Sequence, residues 1–503
     1  MKRHYLLVMV LCSMFFIASC AETPFESFPD DSKEEEEEVV TPPDADDQED
    51  TLHEWDNEKL VTELEAEDGL LQNAISEKSI NGYSGTGYVA GLWNSEASIT
   101  VKFNVPERAL YRLYIRYSTV GGNSHNLIVN DQLSELCQLA FPVSEGFELR
   151  DMGKYILEKG ENSITFKAGW GDVYIDKFII YTALRNEYSI SETLVNPNAD
   201  ESARSLYAYL LNNFGKKIIS GYLEGRTVAN VTDCRPMLYG WDLTSYTEGY
   251  PYNWSNEANN GQGGHVFGSV DSKVIESALE WYKTTQSQGI VTLHWHWCSP
   301  TGGKPGTNTF YTEFTDFDVS KAVEDGTEEN KLILRDIDAV ASKLKKLQEA
   351  GVPVLFRPLH EAGGGWFWWG AKGAEPCKKL WNLLYDRLTN VHEINNLIWV
   401  WSSNEEEWYP GNDKVDIVGY DSYPGDFNVG VQNYMFNELY NLTGGKKIIA
   451  MTENGPLPDP DKCFLQDAPW ALFMGWGDLL YEQNHSSHIV DVFHNKNVLT
   501  VKY

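Results

Sequence analysis

"GVPVLFRPLHEAGGGWFWWG", residues 351–370, runs from an apolar segment into an arginine, a histidine and a glutamate, then a glycine run and three tryptophans. A short apolar run bounded by glycine reads as a strand buried on both faces, the kind found in parallel sheets. The same grammar recurs outward from it: "KKIISGYLEG", "RPMLYGWDL" and "GIVTLHWHW" come before, and "NLIWVWSSN", "VDIVGYDSY", "KIIAMTEN" and "WALFMGWGD" after. Helical spacing fills the intervals, as in "KVIESALEWYKTTQSQG" and "NKLILRDIDAVASKLKKLQEAG", the latter closed by a glycine at its C-terminal cap. Eight such alternations over residues 192–503 predict a (β/α)8 TIM barrel rather than an open doubly wound sheet. No GxGxxG or GxxxxGK[ST] motif argues for a nucleotide fold.

Barrel chemistry gathers at the C-terminal ends of the strands. Here those ends hold Trp241 and Asp242, His294 and His296, Arg357, His360 and Glu361, Asp421 and Tyr423, and Glu453 and Trp476. Two strand-end glutamates, Glu361 and Glu453, suit glycoside hydrolysis, where one carboxyl group protonates the leaving oxygen and the other attacks or stabilises the anomeric carbon. Tryptophan rings suit a sugar substrate, because pyranose C–H faces stack on them. His294 and His296 lie on one face of the third strand, and "WHW" favours His296 as the one facing a sugar hydroxyl. Asp421 faces the same way as Tyr423, for sugar contact or for support of neighbouring side chains. Asp242 is left out of the site, since "GWDL" reads equally as structure. The histidine pair lacks a Cys or acidic partner that would complete a metal set, so catalysis is expected to need no cofactor.

"RPLHEAGGGWFWWG", "GYDSYP" and "MTEN" occur in the order of the corresponding segments of glycoside hydrolase family 26, and residues 195–503 resemble that family. The resemblance implies Glu361 as the acid and then base, and Glu453 as the nucleophile. It implies that Tyr423 donates to Glu453, that His360 sets the acid's position, and that Trp366 is an aromatic platform beside the cleaved bond. Arg357 is expected near the nucleophile in the barrel mouth, and Trp476 as a second stacking residue. The substrate class it implies is β-1,4-mannan, galactomannan or glucomannan, cleaved by a retaining endo-1,4-β-mannosidase, with β-1,3-xylanase and mixed-linkage β-glucanase as alternatives. A surface lipoprotein that captures glycan without cutting it is a different class of reading, and it has no need of two glutamates at one barrel mouth.

Upstream, "ASITVKFNV", "LYRLYIRYS", "HNLIVND", "NSITFKAG" and "VYIDKFIIYT" alternate with period two between turn residues, predicting an antiparallel β-sandwich over residues 60–183. "ELEAEDG", "YSGTGYVAG" and "GWGDVYIDKFII" resemble the carbohydrate-binding jelly rolls of families 6 and 35. That resemblance implies a structural calcium on Glu65, Glu67 and Asp176, whose hard oxygens suit the ion. Trp170, in a glycine-flanked loop, reads as a sugar-stacking or a partly buried aromatic.

Residues 1–19 have Lys2 and Arg3 ahead of an apolar run too short to span a membrane, the pattern of an export signal. "FIASC" resembles a bacterial lipobox, with Cys20 as the lipid-modified anchor on the outer membrane, at the cell surface of a Gram-negative bacterium. Residues 20–59, with "KEEEEEVVTPPDADDQED", are too acidic to bury a core and are expected to be an extended tether. The five remaining cysteines read as buried free thiols. A formal charge of -34 excludes nucleic acid as a partner, because phosphate binding needs clustered Lys and Arg.

Overall fold

The computed structural model describes residues 52–223, 228–247, 273–302 and 308–501. The export signal, Cys20 and residues 20–51 of the tether lie outside the described residues.

Residues 60–183 form two antiparallel sheets. One runs in the order Ile75–Glu77, Tyr88–Ala90, Tyr174–Thr182, Ala109–Ser118, Glu148–Leu157, with Leu60–Glu65 also paired to Tyr174–Thr182. The other runs Leu70–Gln72, Ser98–Val105, Gly160–Trp170, Ser124–Val129, Cys137–Leu139. Alternation is the cause. Along Ser98–Val105 every second residue, Ile99, Val101, Phe103 and Val105, is buried between the sheets. The sandwich starts earlier than its expected edge at residue 60. His53 bridges to Ala109, the Trp55 indole donates to the Leu110 carbonyl at 3.1 Å and its ring meets Tyr111 edge-on, so an apolar ring draws the end of the acidic segment onto the sheet.

The second unit is built on seven parallel strands: β1 (Gly221–Leu223), β2 (Leu238–Asp242), β3 (Ile290–Trp295), β4 (Val354–Pro358), β5 (Leu397–Ser402), β6 (Ile417–Ser422) and β7 (Ile448–Asn454). β3, β4, β5 and β7 are buried at every position, as strands covered on both faces must be. The expected eighth strand is not regular, yet it closes the ring. Ala471 and Trp476 donate to Ile449 and Asn454 on one side, while Phe473 and Gly475 donate to Ile219 and Gly221 on the other. "KKIISGYLEG" splits in two: Ile218–Ile219 leaves the barrel to pair with a C-terminal strand, Val498–Val501, which sequence patterning did not reveal. The longest helix, Glu328–Glu349, is capped by Thr327 and buries Ile333, Ile337, Val340, Leu344 and Leu347 on one stripe.

The two units pack against each other. The helix Asn433–Thr443 lies on the strand Glu148–Leu157, and Asn433 donates to the Lys154 carbonyl at 2.6 Å. The Lys154 ammonium, 5 % exposed, reaches Asp467 at 2.7 Å, and the connecting segment is pinned there through Asn186. All five described cysteines are free, four of them buried.

Candidate active site

β4 delivers Arg357 at its end, and the chain then turns sharply: Leu359 and Glu361 both adopt left-handed backbone, with φ of 54° and 51°. This turn aims the Glu361 carboxyl group across the mouth toward β6 and β7. Glu453 arrives near the end of β7 and Asp421 near the end of β6. Glu361, Asp421 and Glu453 each offer an oxygen within 4.8 Å of the other two.

Arg357, 1 % exposed, binds this trio together. Its guanidinium donates to Asp421 at 2.8 Å, to Glu453 at 2.5 Å and to His294 Nδ1 at 2.7 Å. Expected near the nucleophile, it lies there as a buried ion pair beneath the carboxylates, because burying them demands a countercharge. Burial alone would lower its pKa; Asp421 and Glu453 hold it charged. Asp421 accepts further hydrogen bonds from Ser402 at 2.7 Å and Thr452 at 2.8 Å. Tyr423 donates to Glu453 at 2.6 Å, and burial with that neighbouring charge pushes its hydroxyl pKa well up, so it remains a donor.

Burial, followed by the charge of Asp421, pushes Glu361 up to about 8. Burial and Asp421 raise Glu453 to about 8 as well; Arg357 opposes the shift at both groups, joined by Trp366 at Glu361 and by Tyr423 at Glu453. The two titrate as a pair, and the direct contacts from Arg357 at 2.5 Å and Tyr423 at 2.6 Å put the donors that favour a charge on Glu453. Trp366 completes the mouth. Its ring lies over Gly364, where any Cβ would come within 2.1 Å, and its indole donates to Glu361 at 2.9 Å with 38 % of the residue exposed. Trp368 and Trp369 are fully buried, so one tryptophan of the three offers a face to a ligand.

His296 and His360 lie deeper than expected. The His296 ring, 5 % exposed, sits between Asp242 at 2.5 Å and His360 at 3.2 Å, so its nitrogens serve protein partners rather than a sugar hydroxyl. Burial, then Arg357, pushes His360 and His294 well down, which keeps both neutral. Trp476 is half-buried and stands edge-on to His294 and His296. Asp242, set aside in the sequence, belongs to the site's support. The strand-end position that identified the glutamates would have found it. Tyr311, stacked on Phe367 at 5.4 Å, also faces the two glutamates, from a loop with no sequence signal.

In the sandwich, the expected calcium ligands are only partly available. Asp176 has both oxygens taken, by Ser84 and by Arg116. Glu67 accepts from the Thr86 and Gly87 amides on one oxygen, while its buried Oε2 has no partner. Glu65 and Glu67 crowd onto Gly85, where a Cβ would fall 2.7 Å from Glu67. Three carboxylates against one guanidinium leave two negative charges, which fits a divalent cation on Glu65 and Glu67 with Asp176 as an orienting neighbour.

Two opposed, buried carboxyl groups, one of them held by Arg357 and Tyr423, at the open end of a β/α barrel define a glycosidase that works through paired acids. Comparison with known proteins gives the family. Residues 195–502 match glycosyl hydrolase family 26, and the chain belongs to it. Residues 62–182 match the carbohydrate binding module of family 35. A mannan endo-1,4-β-mannosidase from Thermothelomyces thermophilus is 39% identical over 457 residues, 88% of this chain and 90% of that one. Mannan endo-1,4-β-mannosidase A from Piromyces sp is 35% identical over 87% of this chain and 72% of its own length. The crystal structure of a GH26-CBM35 β-(1,4)-mannanase from Podospora anserina superimposes with a TM-score of 0.59 at 36% identity, covering 88% of this chain and 97% of that one.

Proposed function

We infer that this chain is a retaining endo-1,4-β-mannanase acting on mannan, galactomannan or glucomannan. One observation carries the mechanism: Glu361 and Glu453 present oxygens within 4.8 Å of each other. Retaining enzymes hold their carboxyl groups about 5–5.5 Å apart, whereas inverting enzymes need about 6.5–9.5 Å to admit a water molecule. Glu453 attacks the anomeric carbon while Glu361 gives its proton to the departing glycosidic oxygen. Glu361, now a carboxylate, deprotonates water, which displaces Glu453 and frees the sugar with its configuration retained. Arg357 and Tyr423 stabilise the charge on Glu453 before attack and after release, and Trp366 stacks the sugar beside the acid. The names of the relatives supply the substrate.

The test is the time course of products from β-1,4-mannan, galactomannan, β-1,3-xylan and mixed-linkage β-glucan, using the protein without residues 1–20. Mixed manno-oligosaccharides from the first minutes are expected. Mannobiose alone from the outset would indicate chain-end action; products from xylan or glucan alone would overturn the substrate; binding without any product would overturn the enzyme.

Two further roles extend this reading. Glu65 and Glu67 hold a structural calcium in the sandwich, and Trp170, 51 % exposed, stacks on glycan. Residues 1–20 export the protein and anchor it by a lipid on Cys20 to the outer membrane, supported by the charge and apolar pattern quoted above. Labelling with radioactive palmitate, lost in Cys20→Ala, tests the anchor.

A further inference from the structure

The geometry points to Asp242 as a positioning residue that holds the acid Glu361 in its firing position through two histidines; we propose this role on the reading of Glu361 as the acid given above. The turn that aims Glu361 is strained, since Leu359 and Glu361 are both left-handed non-glycine residues flanking His360. Such a conformation persists only when its surroundings over-determine it. The Glu361 amide donates to the Ser402 carbonyl at 2.9 Å, its carbonyl accepts from the Gly364 amide at 3.1 Å, and further clamps act on His360. Its carbonyl accepts from the Trp369 indole at 3.0 Å, and its ring packs between Phe367 and Trp369. Its Nε2 faces His296 Nε2 at 3.2 Å.

Two facing ring nitrogens at that distance hold together only if a single proton lies between them. Asp242 fixes the His296 ring that shares it. Its carboxylate accepts from the His296 Nδ1–H at 2.5 Å and from the His296 amide at 3.1 Å. Thr244 in turn holds the carboxylate, through its amide at 2.8 Å and its hydroxyl. With its Nδ1–H committed to Asp242, His296 turns its Nε2 to His360, and one proton lies between the two rings. The chain of contacts thus runs from the end of β2 through β3 to the turn after β4. The strained peptide is anchored two strands away from the group it aims.

Asp242→Asn tests this. An amide in its place removes the carboxylate that fixes the His296 ring, so the contact to His360 loosens and the turn that aims Glu361 shifts. In the first step a misaimed acid matters only when the leaving group needs protonation. The variant should lose about 10–100-fold in kcat/KM on manno-oligosaccharide, within the range a general acid contributes. It should lose less than about threefold in kcat/KM on a dinitrophenyl β-mannobioside, whose leaving group departs unaided in the step that kcat/KM reports. On that substrate kcat and KM fall together, because Glu361 is also the base of the second step. Glu361→Ala is measured alongside and should show the same selectivity in larger measure. Equal losses of Asp242→Asn on both substrates, or none, with Glu361→Ala selective, would overturn the role of Asp242. If Glu361→Ala itself is unselective, the reading of Glu361 as the acid fails instead. Should Asp242→Asn not fold, Thr244→Ala, which removes the hydroxyl donor to Asp242, must show a smaller loss of the same selectivity; an unselective loss overturns the proposal.

Discussion

The molecule gathers three carboxylates near an arginine in two places, and the two behave differently. In the sandwich, Arg116, whose side chain is 26% exposed, pairs with Asp176, while Glu65, Glu67 and Asp176 are met by the Ser84 hydroxyl and by the Ser84, Thr86 and Gly87 amides. In the barrel, Glu361, Asp421 and Glu453 surround Arg357, at 1% exposure, and are met chiefly by hydroxyl and indole donors. Backbone amides and solvent disperse the charge of the first cluster. Burial concentrates the charge of the second, and one of its members retains a proton into the neutral range. An acidic trio becomes catalytic when water is withdrawn from it and the donors that remain are divided unequally among its members.

Glu453→Ala should break the comparison outright, lowering kcat on mannan by about 10⁴-fold or more while the polysaccharide still binds. Retained turnover would remove Glu453 from the mechanism. The arginines should separate next. Arg357→Met strands two buried carboxylates and should cost about 3–5 kcal/mol in denaturant unfolding, whereas Arg116→Met, at a cluster rich in other donors, should cost about 1 kcal/mol. Equal costs would mean that burial does not distinguish the sites.

Asp421→Asn sharpens the electrostatics. Activity requires protonated Glu361, so the rate falls as pH rises through the Glu361 pKa, near 8 in the native protein. Removing the charge of Asp421, which raises that pKa, should move the alkaline limb of kcat/KM down by about one pH unit. A limb that stays in place would assign it to another group. Stability has a related sign. A carboxyl group raised in the folded state contributes stability below its unfolded pKa and loses it as pH rises toward 8. Glu361→Gln should therefore gain in melting temperature on the native protein across that window, by about 1–3 °C. The smallest effect belongs to the sandwich, where a calcium chelator should lower the melting temperature by about 2–4 °C without altering the pH profile. An unchanged melting temperature would leave Glu67 Oε2 as an orphan oxygen.

Much of the barrel was legible because its strands are continuous apolar runs, and their last residues carry the reactive groups. The irregular eighth segment and the split first strand were not, since hydrogen bonds that alternate between two neighbours leave no periodic trace. Docking of the sandwich was equally silent: Lys154 and Asp467 look like surface charges until their partner is known, 313 residues away. Within the site, the sequence nominated Glu361, Glu453, Tyr423 and Trp366 from strand ends and family motifs. It placed Arg357 near the nucleophile but expected His296 to face a sugar, because a polar side chain at a strand end can point to substrate or to another side chain, and spacing does not tell the two apart.

By itself the sequence determined the order of elements, the two units and the pair of glutamates, since hydrophobic period and residue type are local properties. Only the tertiary structure decided that burial raises both carboxyl groups, which arginine lies beneath them, and that Asp242 meets His296 from another strand. Those outcomes depend on burial and on distances of a few ångströms between residues far apart in the chain.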